Sequence, residues 1–195
     1  IKTYFAEMMD IPSENIIAVA ITPCTAKKSE ITLPNNKDTD YVITTSELAL
    51  MIREKEIDFN NLRNAEYDSI MGRGSGAGVI FGNSGGVMEA AVRTAYHFLT
   101  DESPKKELLN FTKVRGYDNV KEAEVKIGDL NLKLLVVHGM TNIETILKDL
   151  ENGKLDYHFI EVMNCPGGCI GGGGQPFGVI SKQKEINEKR ISGVY

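Results

Sequence analysis

Three cysteines are the residues of this 195-residue chain whose chemistry stands apart. Cys24 lies in Thr22-Pro23-Cys24-Thr25-Ala26-Lys27-Lys28-Ser29-Glu30, and the other two lie in Glu161-Val162-Met163-Asn164-Cys165-Pro166-Gly167-Gly168-Cys169. Thiolates are soft ligands for iron, copper and zinc. An odd number of cysteines, two of them in one glycine-rich loop, favours metal or redox chemistry over structural disulfides. The spacing of four departs from the Cys-x-x-Cys knuckle usual for zinc. A cubane iron–sulfur cluster takes four thiolates, and glycine flanks let the backbone approach closely and donate N–H groups to the sulfides. Three thiols leave one ligand missing. Lys27 and Lys28 put ammonium groups beside Cys24, suited to bonding an anionic ligand. Alone, a cysteine after a strand is ordinarily a small buried hydrophobe and a lysine pair ordinarily faces solvent. Together with the loop Cys-Pro-Gly-Gly-Cys, continued by Ile170-Gly171-Gly172-Gly173-Gly174-Gln175-Pro176, they point to a metal or cluster site, because so much glycine is entropically costly in a plain connector. His97, His138 and His158 sit on apolar patterns and read as core or surface histidines rather than ligands.

The elements that must position these groups follow from periodicity. Ile1, Tyr4, Phe5 and Met8 have helical spacing within residues 1–9, and the sequence opens in mid-pattern, as if inside a longer protein. The apolar run Asn15 to Thr22 predicts a buried parallel strand running directly into Pro23-Cys24, with a polar loop over 31–39. Tyr41 to Thr44 predicts a second strand, and Thr44 with Glu47 has capping-box spacing for a helix to about Glu56. Seven of the 19 glycines fall between Met71 and Gly86, around the apolar triplet Val79-Ile80-Phe81, and six more between Gly167 and Gly174. A helix is expected over Val87 to Leu99. Beyond Pro104, Glu124 to Ile127 and Leu132 to His138 predict a hairpin about Gly128-Asp129. Thr141 and Glu144 suggest another capping box for a helix to about Glu151, and Tyr157 to Val162 a last strand ending at Cys165. The class is α/β, an open, mainly parallel sheet flanked by helices, with the glycine-rich loops at the C-terminal ends of strands, where all three thiols can meet at one sheet edge.

Composition sets the limits. Hydrophobic residues make up 42% and charged residues 25%, which excludes a disordered, collagenous or coiled-coil chain. A net charge of −5 without a basic run argues against nucleic acid and anionic membranes as partners. No apolar stretch has the length of a membrane span, and the start lacks a signal-peptide pattern, so a cytoplasmic protein without membrane insertion is expected.

The two cysteine segments also resemble a known family. TPCTAKKSE is similar to the MPCTAKKxE signature, and EVMNCPGGCIGGGGQP to the ExMxCxxGCxxGGGQP signature, of iron-only (FeFe) hydrogenases. YVITTSEL from Tyr41, GAGVIFGNSGGVMEAAVRTAY from Gly76 and the closing Arg190 to Tyr195 resemble the same catalytic domain in the same order. The resemblance implies that residues 1–195 are the C-terminal portion of the large-subunit catalytic domain, one lobe plus part of the other. The upstream cysteine motif and the electron-relay domains are not in the chain. It implies an H-cluster, a 4Fe-4S cubane joined through one cysteine sulfur to a two-iron subcluster with carbonyl, cyanide and azadithiolate ligands. Cys24 and Cys165 would be cubane ligands, and Cys169 would ligate the cubane and bridge to the two irons. Lys27 would bond a cyanide. Pro23, Thr25 and Ala26 would line the cavity, Met163 and Phe81 would pack around the diatomic ligands, and Glu30 is the motif's terminal acid. Reversible H2 oxidation is the implied activity, with H2 and protons, the remainder of the hydrogenase chain, a ferredoxin or NAD-linked redox carrier and maturation proteins as partners. Thr22 stands where highly active members have Met, and Ser84 where FGxTGG has Thr, departures that set high turnover in question and suit a slow or sensory hydrogenase as well as a fast one. The alternative is a hydrogenase-like iron–sulfur protein that binds a cubane without hydrogenase activity.

Overall fold

Strands β1 (Val19–Thr22) and β2 (Tyr41–Thr44) pair in parallel, Val19 opposite Tyr41 and Thr22 opposite Thr44. They belong to a computed structural model that describes residues 1–68, 76–109 and 119–195. The chain forms two compact units, Ile1–Gly74 with Gly172–Phe177, and Ser75–Gly171 with Gly178–Tyr195. Of the glycine-rich run expected between Met71 and Gly86, the part up to residue 75 lies outside the described residues.

In the first unit, helix α1 (Tyr4–Met8) and a 3-10 turn at Ser13–Asn15 precede β1, and α2 (Lys27–Glu30) follows it. Only the second half of the run Asn15 to Thr22 is strand, and its burial falls short of the expectation: Ile17, Val19 and Ile21 are exposed. The reason is the sheet itself, which has two strands and a single ladder. Helix α3 (Thr45–Glu54) carries the expected capping box. Thr44 Oγ1 accepts from the Glu47 amide at 3.2 Å, and the Glu47 carboxylate accepts from the Thr44 amide at 2.8 Å. Lys28 Nζ bonds the same carboxylate at 2.5 Å, and this bond, with those from Thr44, holds the Glu47 carboxyl down at about 2.

The second unit is built on a three-stranded sheet of order β3 (Val120–Ile127), β4 (Leu130–His138) and β5 (Phe159–Met163). The predicted hairpin is the antiparallel β3–β4 pair, longer at its start than expected, and β4–β5 is parallel. Strict alternation along β3 sends Lys121, Ala123, Val125 and Ile127 inward. Helix α5 (Gly86–Thr100) lays Met88, Val92 and Tyr96 on that face, where they pack with Leu108 of α6 (Lys106–Leu109), Leu134 and Val136. The triplet 79–81 falls on and just after the short α4 (Gly76–Ile80). Helix α7 (Met140–Glu151) joins β4 to β5, a parallel crossover. Its expected cap at Thr141 is not used. The Gly139 amide is held by Met163 O at 3.0 Å, and the Gly139 carbonyl already accepts from Asn142 and Ile143, so Gly139 is the cap and the helix begins two residues earlier. Helix α8 (Gln183–Ser192) closes the unit. The fold is α/β with helices flanking its sheets and two of its three strand pairings parallel. The described strands form two sheets rather than one, so Cys24 follows a strand of the first and Cys165 a strand of the second.

Candidate metal centre

In the first unit the site begins where β1 stops. Pro23 cannot donate to a ladder, and the chain turns there into half-buried Cys24 and exposed Thr25 and Ala26 before α2. The tail that follows the second cysteine motif belongs to this unit and is bonded to the turn. The Gly174 amide donates to Pro23 O at 2.8 Å, while Gly174 O accepts from Ser46 N at 2.9 Å and Ser46 Oγ at 3.0 Å. A Cβ on Gly174 would stand 2.9 Å from the Pro23 carbonyl carbon and from Thr44 Cγ2, so only glycine lets the tail lie this close. Lys27, the first residue of α2, reaches both carboxylate oxygens of Glu30 at 2.7 Å. The pair is about half exposed and faces a cavity of about 380 Å³ of mixed lining, to which Thr22, Asn36 and Asp38 bring polar groups and Ile31 and Val42 apolar ones.

In the second unit half-buried Cys165 lies two residues beyond the end of β5, and exposed Cys169 opens a 3-10 turn, Cys169–Gly171. None of the three cysteines is in a disulfide. The loop between Cys165 and Cys169 is tied on every side. Gly168 N donates to Cys165 O at 2.9 Å, Ile170 N to Gly82 O at 3.0 Å, and Arg190 Nη1 to Ile170 O at 3.0 Å. Gly168 has φ +88°, and a Cβ there would stand 2.6 Å from Ser84 N and 2.9 Å from Met163 Sδ. The Met163 sulfur therefore abuts the loop. Phe81, by contrast, is exposed and flanks an apolar groove of about 580 Å³ with Val87, Ala91 and Phe98.

Beneath this loop lies a layer of buried polar groups, of which the motifs named Ser84 and Glu161 but not His138 or Lys121. His138 Nδ1 accepts from Gly167 N at 3.2 Å, so the ring is neutral with its proton on Nε2. Gly167 O accepts from Ser84 N at 3.0 Å. Lys121 Nζ donates to Ser84 O at 3.1 Å and to Ser84 Oγ at 3.3 Å. Glu161 accepts from Gly85 N at 2.6 Å and Met88 N at 2.7 Å, a carboxylate at the N-terminus of α5 where the helix dipole favours it. Burial pushes the Glu161 carboxyl above its ordinary value, against the opposing pull of those amides and of Lys121. His138, Ser84, Lys121 and Glu161 are all under a tenth exposed. One signal for Lys121 was in the sequence, a lysine at an inward position of a strictly alternating strand. His138 had none, being one more polar residue at the end of an apolar strand. Among the described residues no three His, Cys, Asp or Glu side chains are arranged around a single metal ion.

Comparison with known proteins places this geometry. The family model described as the iron-only hydrogenase large subunit, C-terminal domain, matches residues 1–173. The chain belongs to this hydrogenase family. It is 48% identical to the NADP-reducing hydrogenase subunit HndD of Solidesulfovibrio fructosivorans, over 90% of this chain and 30% of that protein. It is 43% identical to the periplasmic Fe hydrogenase large subunit of Nitratidesulfovibrio vulgaris, over 99% of this chain and 47% of that one. A cytosolic Fe-S cluster assembly factor of Danio rerio, narfl, is 30% identical over 90% of the chain and 44% of its own length. Among solved structures, FeFe-hydrogenase HydA1 from Chlamydomonas reinhardtii superposes with a TM-score of 0.77 at 33% identity, covering all of this chain and 56% of that one. The chain thus spans less than half the length of the curated relatives it matches.

The residues present suit an iron–sulfur group. Thiols are soft ligands for iron: the first unit offers Cys24 just past a strand and the second offers Cys165 and Cys169, and the glycines between these two hold backbone amides in a tight turn of the kind that donates to inorganic sulfide.

Proposed function

We propose that this domain binds the H-cluster of an iron-only hydrogenase and that the full-length protein catalyses reversible oxidation of H2 to protons and electrons. The observation that carries this reading is the pairing of TPCTAKKSE with EVMNCPGGC in a chain of that family. When bound, the metal group supplies the hydrogen-splitting chemistry; the protein supplies ligands, orientation and dryness. Cys24, Cys165 and Cys169 would hold the cubane, with Cys169 also bridging to the two-iron subcluster. Lys27 would donate from Nζ to a cyanide. Glu30 holds that ammonium at 2.7 Å and fixes the direction in which it leaves α2. Pro23, Thr25 and Ala26 would line the cavity wall, while Met163 and Phe81 would pack around the diatomic ligands. Thr22, polar and short, would make that shell looser than Met does, which fits a slow or sensory enzyme. The redox partner, a ferredoxin-like carrier or an NAD(P)-linked subunit, and the maturation proteins belong to this proposal, as does a cytoplasmic location. No helix among the described residues is long and apolar enough to cross a membrane.

The relative named as an Fe-S cluster assembly factor supports a second reading, a cubane-binding protein without the two-iron subcluster. An H2-uptake and H2-evolution assay on the full-length, matured protein separates them. The expected result is activity in the parent, none in Cys169→Ala, and loss of two-iron capture with retention of the cubane in Lys27→Met. A parent that binds a cubane yet neither evolves nor consumes H2 would establish the second reading.

A further inference from the structure

We propose that the buried relay from Lys121 through Ser84 to Gly167, closed on its other side by His138, is a clamp that sets the separation and direction of the Cys165 and Cys169 thiols. The inference rests on the reading that these two thiols ligate a cubane. Gly167 sits midway between them, and both polar groups of its residue are held by buried partners. Its N–H goes to His138 Nδ1 at 3.2 Å, and its C=O takes the Ser84 amide at 3.0 Å. Ser84 is in turn fixed from the sheet by Lys121 Nζ at 3.1 and 3.3 Å. Both outer members arise from rigid elements, Lys121 from β3 and His138 from the end of β4, so the loop inherits the rigidity of the sheet.

A lysine brought to 6% exposure among Ala123, Val125 and Ile127 is expensive to bury. An apolar residue would serve the packing as well. A charged donor at this position faces the buried Glu161 carboxyl and bonds the main chain that presses against the cysteine loop. The histidine offers a matching argument. As acceptor to Gly167 it must be neutral and of one tautomer, and the loop amide enforces both. His138, Ser84 and Lys121 are positioning residues: none of them is assigned to a metal, and each acts through the backbone between two ligands.

The test uses the full-length protein reconstituted with iron and sulfide, comparing His138→Leu, His138→Gln, Lys121→Met, Lys121→Arg and a packing control, Val136→Ala. The readouts are the electron paramagnetic resonance spectrum of the reduced cubane, its midpoint potential and the rate of iron loss to a chelator. Expected are altered g-values and iron loss at least five-fold faster in His138→Leu and Lys121→Met. His138→Gln, whose amide oxygen can accept from Gly167, and Lys121→Arg restore the parent spectrum. Val136→Ala, though less stable, leaves the spectrum unchanged. If His138→Leu fails to fold, Lys121→Met and the two conservative variants still decide the matter. Parent-like spectra and iron-loss rates in every soluble variant overturn the clamp while leaving the cluster assignment intact. A parent that takes up no cubane overturns the ligand assignment, and the clamp with it.

Discussion

Gly168 carries the most constrained backbone in the cysteine loop. Its φ of +88° is one that side chains rarely adopt, and a methyl group would collide with the Ser84 amide, which cannot move without breaking the bond to Gly167. Gly168→Ala should therefore cost roughly 2–4 kcal/mol in chemical denaturation, the sum of left-handed strain and a backbone clash. Thr22 offers the opposite case, a half-buried residue with little to constrain it. Thr22→Met should raise H2 turnover several-fold with cluster occupancy unchanged, since a longer thioether completes the apolar shell. Flat turnover at full occupancy would show that Thr22 does not set the rate. Cysteines, Lys27 and Met163 were legible because long motifs name them. Ser84 also falls inside a quoted motif, but that it joins His138 and Lys121 in one buried polar layer was not legible, because three segments are brought together there by tertiary packing that no local pattern encodes.

At the level of elements, the α3 cap and α5 N-terminus respond to pH in opposite senses. Glu47 has a carboxyl lowered to about 2 from 4.5, so its contribution is complete above pH 4.5 and is lost as pH falls towards 2. Amide exchange along α3 should accelerate over that interval, and in Glu47→Gln it should be fast already at pH 5. Glu161 has a carboxyl raised by burial, so ionising it costs stability as pH climbs above the ordinary carboxylate range. Glu161→Gln should flatten that slope in pH-dependent denaturation, whereas Glu161→Ala, which strips acceptors from Gly85 and Met88, should cost about 2 kcal/mol. Thr44 and Glu47 were readable as a box four residues long. The Thr141–Glu144 box was a false signal, overridden when a non-local bond from Gly139 to Met163 fixed where α7 starts. The same asymmetry governs the strands. β3 and β4 were found by alternation, but that the strands divide into two sheets follows from pairings far apart in sequence.

Taken as a whole, the molecule keeps its apolar core in the second unit, while the first exposes Val19, Ile21 and Tyr41 on its two-stranded sheet. Such a surface should bind a hydrophobic dye, and Ile21→Thr should reduce that binding with stability changed by no more than about 0.5 kcal/mol. The cofactor also belongs to this scale. On the proposed assignment three cysteines would supply three of a cubane's four thiolates, so the 195-residue chain alone should retain less than one cluster per molecule after reconstitution, by iron analysis and paramagnetic resonance. The most direct measurement is the infrared spectrum of the full-length protein, produced with hydrogenase maturation proteins, beside its Cys169→Ala variant. The account predicts carbonyl and cyanide bands in the parent and their absence in the variant. A parent with a full complement of cubane and no such bands, or a variant that keeps them at full intensity, would contradict it.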